Sequence, residues 1–261
     1  MIAPFNAVST PYDELFTHSS TGRLQRDVVW RLLEKMVPEG VPLRVLELNG
    51  GTGEDALWLA RRGCRVLLTD ASNGMLEVAR QKVNNADVDV DIRVLRFEDL
   101  EKLPEKNFDL ILSNFGGLNC LSPEGMSIFG RVVAQKLRPG GYLVAVVMGR
   151  FCWWETFYFL LKGNIKSAFR RLGKGPLSVK LDEKTHVDTW YYAARTFATF
   201  FPDLQQAHLQ PVGFWLPPSY LDPFFKKHPK LLHGLNKLEK KFRQPFWASG
   251  ADHFLIVSRR S

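Results

Sequence analysis

The chain has 261 residues, of which 45% are hydrophobic and 24% charged, a balance that excludes disordered and collagen-like classes and leaves room for one sizeable core. The net charge of +8 is uneven: residues 1–150 carry 18 basic and 19 acidic side chains, and residues 151–261 carry 17 and 8. Three widely spaced cysteines, Cys64, Cys120 and Cys152, offer neither a disulfide framework nor a paired zinc motif, so no metal site is expected and a reducing cytoplasm is.

Apolar residues at Leu24, Val28, Leu32, Leu33 and Met36 predict a helix over 22–37, stopped by Pro38 and Gly40. Strands are predicted over 44–48, 65–70, 92–95, 108–113 and 142–148, with helices over 54–62, 72–84 and 123–137 between them. That alternation predicts a parallel sheet covered by helices on both faces, because parallel strands need long right-handed crossovers. Beyond Gly149 the pattern changes to crowded aromatics followed by basic residues, read as an inserted helical lid. A strand over 187–192, a short helix over 195–201, a Lys-rich helix over 224–242 and a last strand over 254–258 complete the reading. The expected organisation is a covering segment and helix (1–40), a core (41–150), a lid with late core elements (151–250) and a final core strand (251–261). No basic leader precedes an apolar stretch at the start, and no uncharged run is long enough to span a bilayer. A cytoplasmic chain follows, with peripheral contact to an anionic membrane left open.

The richest stretch is Val45-Leu46-Glu47-Leu48-Asn49-Gly50-Gly51-Thr52-Gly53-Glu54-Asp55, a buried strand, a glycine turn and a helix start. Glycines there let the backbone turn sharply and let a ligand approach. A second strand ends in Asp70, 23 positions after Glu47, where a carboxylate accepts from the vicinal hydroxyls of a ribose. An adenosine cofactor is therefore expected. Gly51-Thr52-Gly53-Glu54-Asp55-Ala56 also satisfies a dinucleotide pattern, but Glu54, Asp55 and Glu47 would work against a pyrophosphate at the helix start. A sulfonium compound suits them better, although Glu54 and Asp55 equally fit a simple helix-dipole role.

Over residues 40–150 and the last strand the sequence resembles the class I S-adenosylmethionine-dependent methyltransferases. The resemblance rests on Glu47 before Asn49-Gly50-Gly51-Thr52-Gly53, on Asp70-Ala71-Ser72-Asn73-Gly74-Met75, on Phe97-Glu98-Asp99-Leu100 and on Arg138-Pro139-Gly140-Gly141-Tyr142-Leu143. It departs at Asn49, where that family has its first loop glycine; Asn tolerates left-handed backbone, so the turn is expected to survive. The resemblance implies an α/β fold, a Rossmann-like doubly wound sheet, mostly parallel with an antiparallel last strand. It implies S-adenosylmethionine as cofactor and S-adenosylhomocysteine as product, with Met75 against adenine, Glu98 or Asp99 accepting from the adenine amino group, and the Asn114-Phe115 loop beside the methyl group. Tyr12 resembles the tyrosine with which small-molecule members close over the cofactor, and Arg23 is expected to meet the methionine carboxylate.

For the acceptor, the loop after the fourth strand, Ser113-Asn114-Phe115-Gly116, lacks the Asp/Asn-Pro-Pro-Tyr signature of base N-methylation, and no paired-glutamate segment of arginine methyltransferases is found. General bases would come from His186, His18 or His253; His186 and His18 are the two retained. Phe151, Trp153, Trp154, Phe157, Tyr158 and Phe159, bordered by Lys162, Lys166, Arg170 and Arg171, form an aromatic face with a basic rim, which suits a hydrophobic metabolite or lipid and equally suits packing of the lid on the core. Methyl transfer to an O or N atom of such a molecule is the expected activity. RNA methylation, favoured by the basic half, and a non-catalytic cofactor-binding protein stand as alternatives; a dehydrogenase would require the dinucleotide reading of the loop.

Overall fold

The apolar runs and helical periodicities of the first half assemble much as their spacing dictates. The computed structural model describes Phe5, residues 12–180 and residues 185–261; the start of the predicted covering segment lies outside the described residues. Helix α1 (Ser20–Met36) precedes β1 (Arg44–Leu48), α2 (Glu54–Arg61), β2 (Arg65–Asp70), α3 (Asn73–Ala86), β3 (Val90–Val94), β4 (Phe108–Ser113), α4 (Pro123–Lys136) and β5 (Leu137–Met148). Serine caps set three helix starts: Ser19, Ser72 and Ser122 accept from the backbone N–H groups of Gly22, Met75 and Gly125. Strands β1, β2 and β4 are buried almost throughout, as strands with helices on both faces must be.

The second half holds α5 (Trp153–Leu161), α6 (Ile165–Ala168), β6 (Leu177–Lys180), β7 (His186–Thr189), α7 (Ala194–Thr199), β8 (Leu204–Val212), α8 (Asp222–Lys226), α9 (Pro229–Lys241) and β9 (His253–Arg260). The main sheet runs in the order β3-β2-β1-β4-β5-β9-β8. Strand β9 is antiparallel to both neighbours, β5 and β8, so the sheet is mostly parallel with the last strand of the chain reversed. Two apolar cores lie on its faces. Leu46, Ile111, Phe129, Phe197 and Phe254 anchor one, and Val29, Leu33, Leu68, Leu112 and Leu255 the other.

Three expectations for the second half need correction. The segment read as a helical lid also contains a two-stranded hairpin, β6 with β7, and a strand of the main sheet, β8, that the sequence reading missed. Strand β8 is polar and carries Pro211, which a sheet tolerates at an edge strand. The Lys-rich helix predicted over 224–242 is two helices, because Pro229 lacks the N–H that a continuous helix needs and begins α9 instead.

Buried carboxylates tie this half down. Asp222 Oδ1 accepts from the Thr21 N–H at 2.9 Å, pinning the start of α1 against α8. Glu239, 2% exposed, accepts from the backbone N–H groups of Gly213, Phe214, Trp215 and Leu216 at 2.6–3.4 Å. Removing it strands several buried donors, each costing about 1–3 kcal/mol. Glu239→Ala is therefore expected to lower stability by about 3 kcal/mol in urea unfolding, while Lys237→Ala on the wet face of the same helix stays within about 0.5 kcal/mol.

Candidate active site

The parallel strands end at one edge of the sheet, and ligands of open α/β sheets bind in the crevice outside those carboxyl ends. Strand β9 runs the other way, so its first residue, His253, pairs with Met148 at the end of β5 and reaches the same edge.

Space and backbone geometry make the loop after β1 obligate for small residues. A Cβ on Gly50 would sit 2.0 Å from the Leu68 side chain, and Gly53 holds φ +80° with Ala79 3.0 Å from where its Cβ would be. Gly51, at φ +55°, has open space beside it. Asn49 adopts φ 47°, so the turn survives the missing glycine, and its amide gains a new task. It donates to the Asn114 carbonyl at 2.8 Å and accepts from Ser113 Oγ at 2.5 Å, joining the first loop to the loop after β4.

The acids around this loop fall into two groups. Asp55 is buried and satisfied: Arg26 Nη1 at 2.6 Å, Trp30 Nε1 at 2.6 Å and Asn114 Nδ2 at 2.9 Å all donate to it. Glu54 pairs with Lys82 at 3.3 Å. The expectation that Glu54 and Asp55 confront a ligand with bare negative charge is thus corrected, since both charges are met within the fold. Glu47 is different. It is 1% exposed, its Oε2 is buried without a hydrogen-bond partner among the described residues, and burial, with the Asp55 charge adding, pushes its carboxyl well above the usual carboxylate range. Asp70 caps β2 with both oxygens on backbone donors, the Gly51 N–H at 2.9 Å and the Ser72 N–H at 2.7 Å; burial raises it in spite of those bonds. A buried acid with a free oxygen, a second acid at the neighbouring strand end and an open flank at Gly51 fit a ligand that brings a cationic nitrogen and a ribose.

The N-terminal segment is latched to this loop. Asp13, in a π-helical turn (Asp13–Thr17), accepts from Thr52 Oγ1 at 2.6 Å and pairs with Lys82 at 2.6 Å. Tyr12 beside it is half-buried; burial chiefly raises its hydroxyl, with Arg26 opposing and Asp70, Asp13 and Asp55 adding, which puts the ring among the site acids. Arg23 is exposed, and the guanidinium that reaches the interior is that of Arg26, one helical turn on and 5.1 Å from the Phe115 ring. Sequence reasoning missed Arg26 because both arginines share a helix and only the packing of α1 distinguishes them.

Met75 is buried at the start of α3, Ala71 beside it is exposed, and Phe115 adopts φ 48° in the loop after β4. Glu98 and Asp99 lie in a short 3-10 turn (Phe97–Lys102), in surface ion pairs with Arg96 at 3.8 Å and Lys102 at 2.6 Å. Both histidines retained from the sequence are exposed, His18 at the end of the N-terminal turn and His186 in the β6–β7 hairpin, opposite Lys180. His253 begins β9: its ring meets Phe115 edge-on at 5.6 Å, and its Nδ1 lies 3.4 Å from Asp252 Oδ2. Burial alone would raise the Asp252 carboxyl, but His253 and Arg171 beside it hold it well below the usual range.

The aromatic face divides. Trp153 donates through Nε1 to the Phe214 carbonyl, and Trp154 packs edge-on against Phe225 at 5.9 Å, so these two fasten α5 to the core. Phe157 points to solvent and Tyr158 lies 5.6 Å from Tyr220. No cluster of metal-ligating side chains occurs among the described residues.

Glu47→Gln provides a paired test. An acid whose value is raised on folding keeps a proton that the unfolded chain has released, so its contribution falls as pH rises above the ordinary carboxylate range. The melting-temperature advantage of Glu47→Gln over the unaltered chain is expected to grow with pH, while its affinity for S-adenosylhomocysteine falls about tenfold or more through loss of a charge-assisted bond; equal affinity would remove Glu47 from the binding site.

Residues 45–141 match a family model described as a methyltransferase domain. The chain is 34% identical over 148 residues to a demethylmenaquinone methyltransferase of Clavibacter sepedonicus, covering 54% of this chain and 55% of that one. It is 28% identical over 143 residues to the tRNA 5-carboxymethoxyuridine methyltransferase of Escherichia coli K12, covering 53% and 54%. The chain thus spans about half the length of the curated relatives it matches. A solved S-adenosylmethionine-dependent methyltransferase from Mesorhizobium loti shares the fold with a TM-score of 0.56 at 19% identity, over 88% of this chain and 97% of that one. With its strand order, its glycine loop and the acids closing its first two strands, the chain carries a match to the methyltransferase-domain family over residues 45–141 and shares the fold of S-adenosylmethionine-dependent methyltransferases.

Proposed function

We propose that this chain transfers a methyl group from S-adenosylmethionine to an O or N atom of a small hydrophobic or ring-bearing molecule, a lipid included. The observation that carries the reading is Glu47, a buried acid with an unpartnered oxygen at the glycine loop. Glu47 would hold the ammonium of the cofactor and Asp70 its ribose. Gly50, Gly51 and Gly53 give the backbone room, Met75, Ala71, Glu98 and Asp99 would border the adenine, and Asn49, Asn114 and Phe115 would border the methyl group. When bound, the cofactor supplies an electrophilic methyl on a sulfonium, so the protein's part is alignment, exclusion of water and removal of one acceptor proton.

Tyr12, carried by the latched segment, covers the site. Arg26 rather than Arg23 supplies the interior positive charge, neutralised by Asp55 so that Glu47 keeps its oxygen free. His253 replaces His18 and His186 as the proposed proton acceptor. Its contact with Phe115 supports this role, and Asp252 behind Nδ1 would stabilise the imidazolium formed on proton uptake. A hydrophobic acceptor is supported by the aromatic ring of Phe115 in the loop after β4, beside His253, and by the likeness to an enzyme named for a quinone substrate. The likeness to a tRNA enzyme and the basic second half support RNA as the second reading.

Incubation with methyl-labelled cofactor and a fractionated cell extract tests this. Label is expected in the lipid-soluble small-molecule fraction, and His253→Gln is expected to cut its transfer about 10²–10⁴-fold with S-adenosylhomocysteine affinity essentially unchanged. Label in RNA would select the second reading. Cofactor binding with no transfer to any fraction would leave a non-catalytic binder.

A further inference from the structure

The lobe formed by α5 and α6 has an unusual surface. Glu155 near the base of α5 is 2% exposed and accepts from Arg170 Nε at 2.8 Å and from Arg171 Nη2 at 2.9 Å; Arg171 also reaches Asp252 at 2.7 Å. That buried ion cluster clamps the lobe to the core. Thr156 Oγ1 donates to the Ala168 carbonyl, folding α6 back along α5. At the far end Leu160, Leu161 and Ile165 face water, Leu161 at 73% and Ile165 at 66% exposure. Phe157 continues the same helical face, and Tyr158 joins it to Tyr220 beside α8, where Phe224 is exposed. Monomeric proteins seldom leave so many large apolar side chains together in water.

The charges around this patch identify what covers it. Residues 151–180 and 213–243 hold thirteen basic and only three acidic side chains, Glu155, Asp222 and Glu239, and all three acids are buried. The solvent face of the lobe and its α8–α9 neighbour is therefore positive. Lys162, Lys166 and Lys174 are exposed around the tip and form no ion pair among the described residues; Lys162 lies 4.5 Å over the Tyr158 ring. Apolar side chains at a tip with lysines behind them is the arrangement that inserts into an anionic bilayer surface, apolar atoms entering the acyl boundary while the ammoniums meet the headgroup phosphates. A polyanion such as RNA would use the lysines but leave Leu161 and Ile165 in water. No helix among the described residues is long and apolar enough to cross a membrane.

We propose that the α5–α6 tip, with Leu160, Leu161 and Ile165 leading and Lys162 and Lys166 behind, docks on an anionic lipid surface. The binding itself is independent of the methyl-transfer reading; only the delivery of a lipid-dissolved acceptor from that surface to the site beside α5 rests on it.

The test is sedimentation of the full chain with vesicles of phosphatidylcholine alone or with about 30% phosphatidylglycerol, at about 50 mM and about 500 mM salt. Binding is expected on the anionic vesicles and is expected to weaken in high salt. Leu161→Glu with Ile165→Glu is expected to reduce it about tenfold or more, and Lys162→Glu with Lys166→Glu severalfold. Unchanged thermal melting and S-adenosylhomocysteine affinity of the variants certify that the core is intact. The proposal would be overturned by no preference for anionic vesicles, by vesicle binding indifferent to Leu161→Glu with Ile165→Glu, or by a concentration-dependent dimer that this variant abolishes, which would assign the patch to a second copy. Salt-sensitive binding of structured RNA without vesicle binding would also overturn it. Failure on vesicles with cofactor binding retained would leave the methyltransferase reading standing, whereas vesicle binding without cofactor affinity would remove that reading alone.

Discussion

A carboxylate buried with an oxygen free is costly, and a fold keeps one only where something else meets the charge. Glu47 is that group here, and the surrounding structure depends on leaving it unmet. The guanidinium beside it is engaged elsewhere: Arg26 is committed to Asp55. Nearby, Lys82 is committed to Asp13 and Glu54, and Asp70 holds the backbone of Gly51 and Ser72. The result is a loop that is acidic toward the crevice and charge-balanced behind it.

The same economy of charge runs through the second half. Three of its acids are withdrawn into the interior, where Glu155, Asp222 and Glu239 fix α5, α1 and the 213–216 loop in place. What remains outside on α5, α6, α8 and α9 is basic and, at the α5–α6 tip, apolar. Asp252 connects the two regimes, since it takes Arg171 from the lobe on one side and stands against His253 at the site on the other. The lobe, the last strand and the proposed proton acceptor are thus one mechanical unit.

The sequence made the core legible for identifiable reasons. Strands β1, β2 and β4 are continuous apolar runs bounded by turn residues, and their predicted limits match the observed ones. The glycine loop announces itself because Gly50 and Gly53 have no tolerable substitute. Strand β8 was hidden by its polar composition and Pro211, both admissible at an edge. The split between α8 and α9 was signalled by Pro229 and overlooked in favour of the longer charge pattern. The site was harder to read wherever tertiary packing chooses between equivalent residues. Arg26 and Arg23 are alike in sequence but differ in burial, and His253 gains its place from the reversal of β9. The electrostatic reasoning also needed the structure, because Glu54 and Asp55 are paired where the sequence showed only two more acids.

The central claim is that burial holds the Glu47 carboxyl above the usual carboxylate range in the free protein and that a cationic amine bound beside it brings it down. Calorimetry of S-adenosylhomocysteine binding in buffers of different ionisation enthalpy measures this directly. The account predicts proton release on binding, lost in Glu47→Gln. Binding without proton release, or nicotinamide dinucleotide bound in its place, would contradict it.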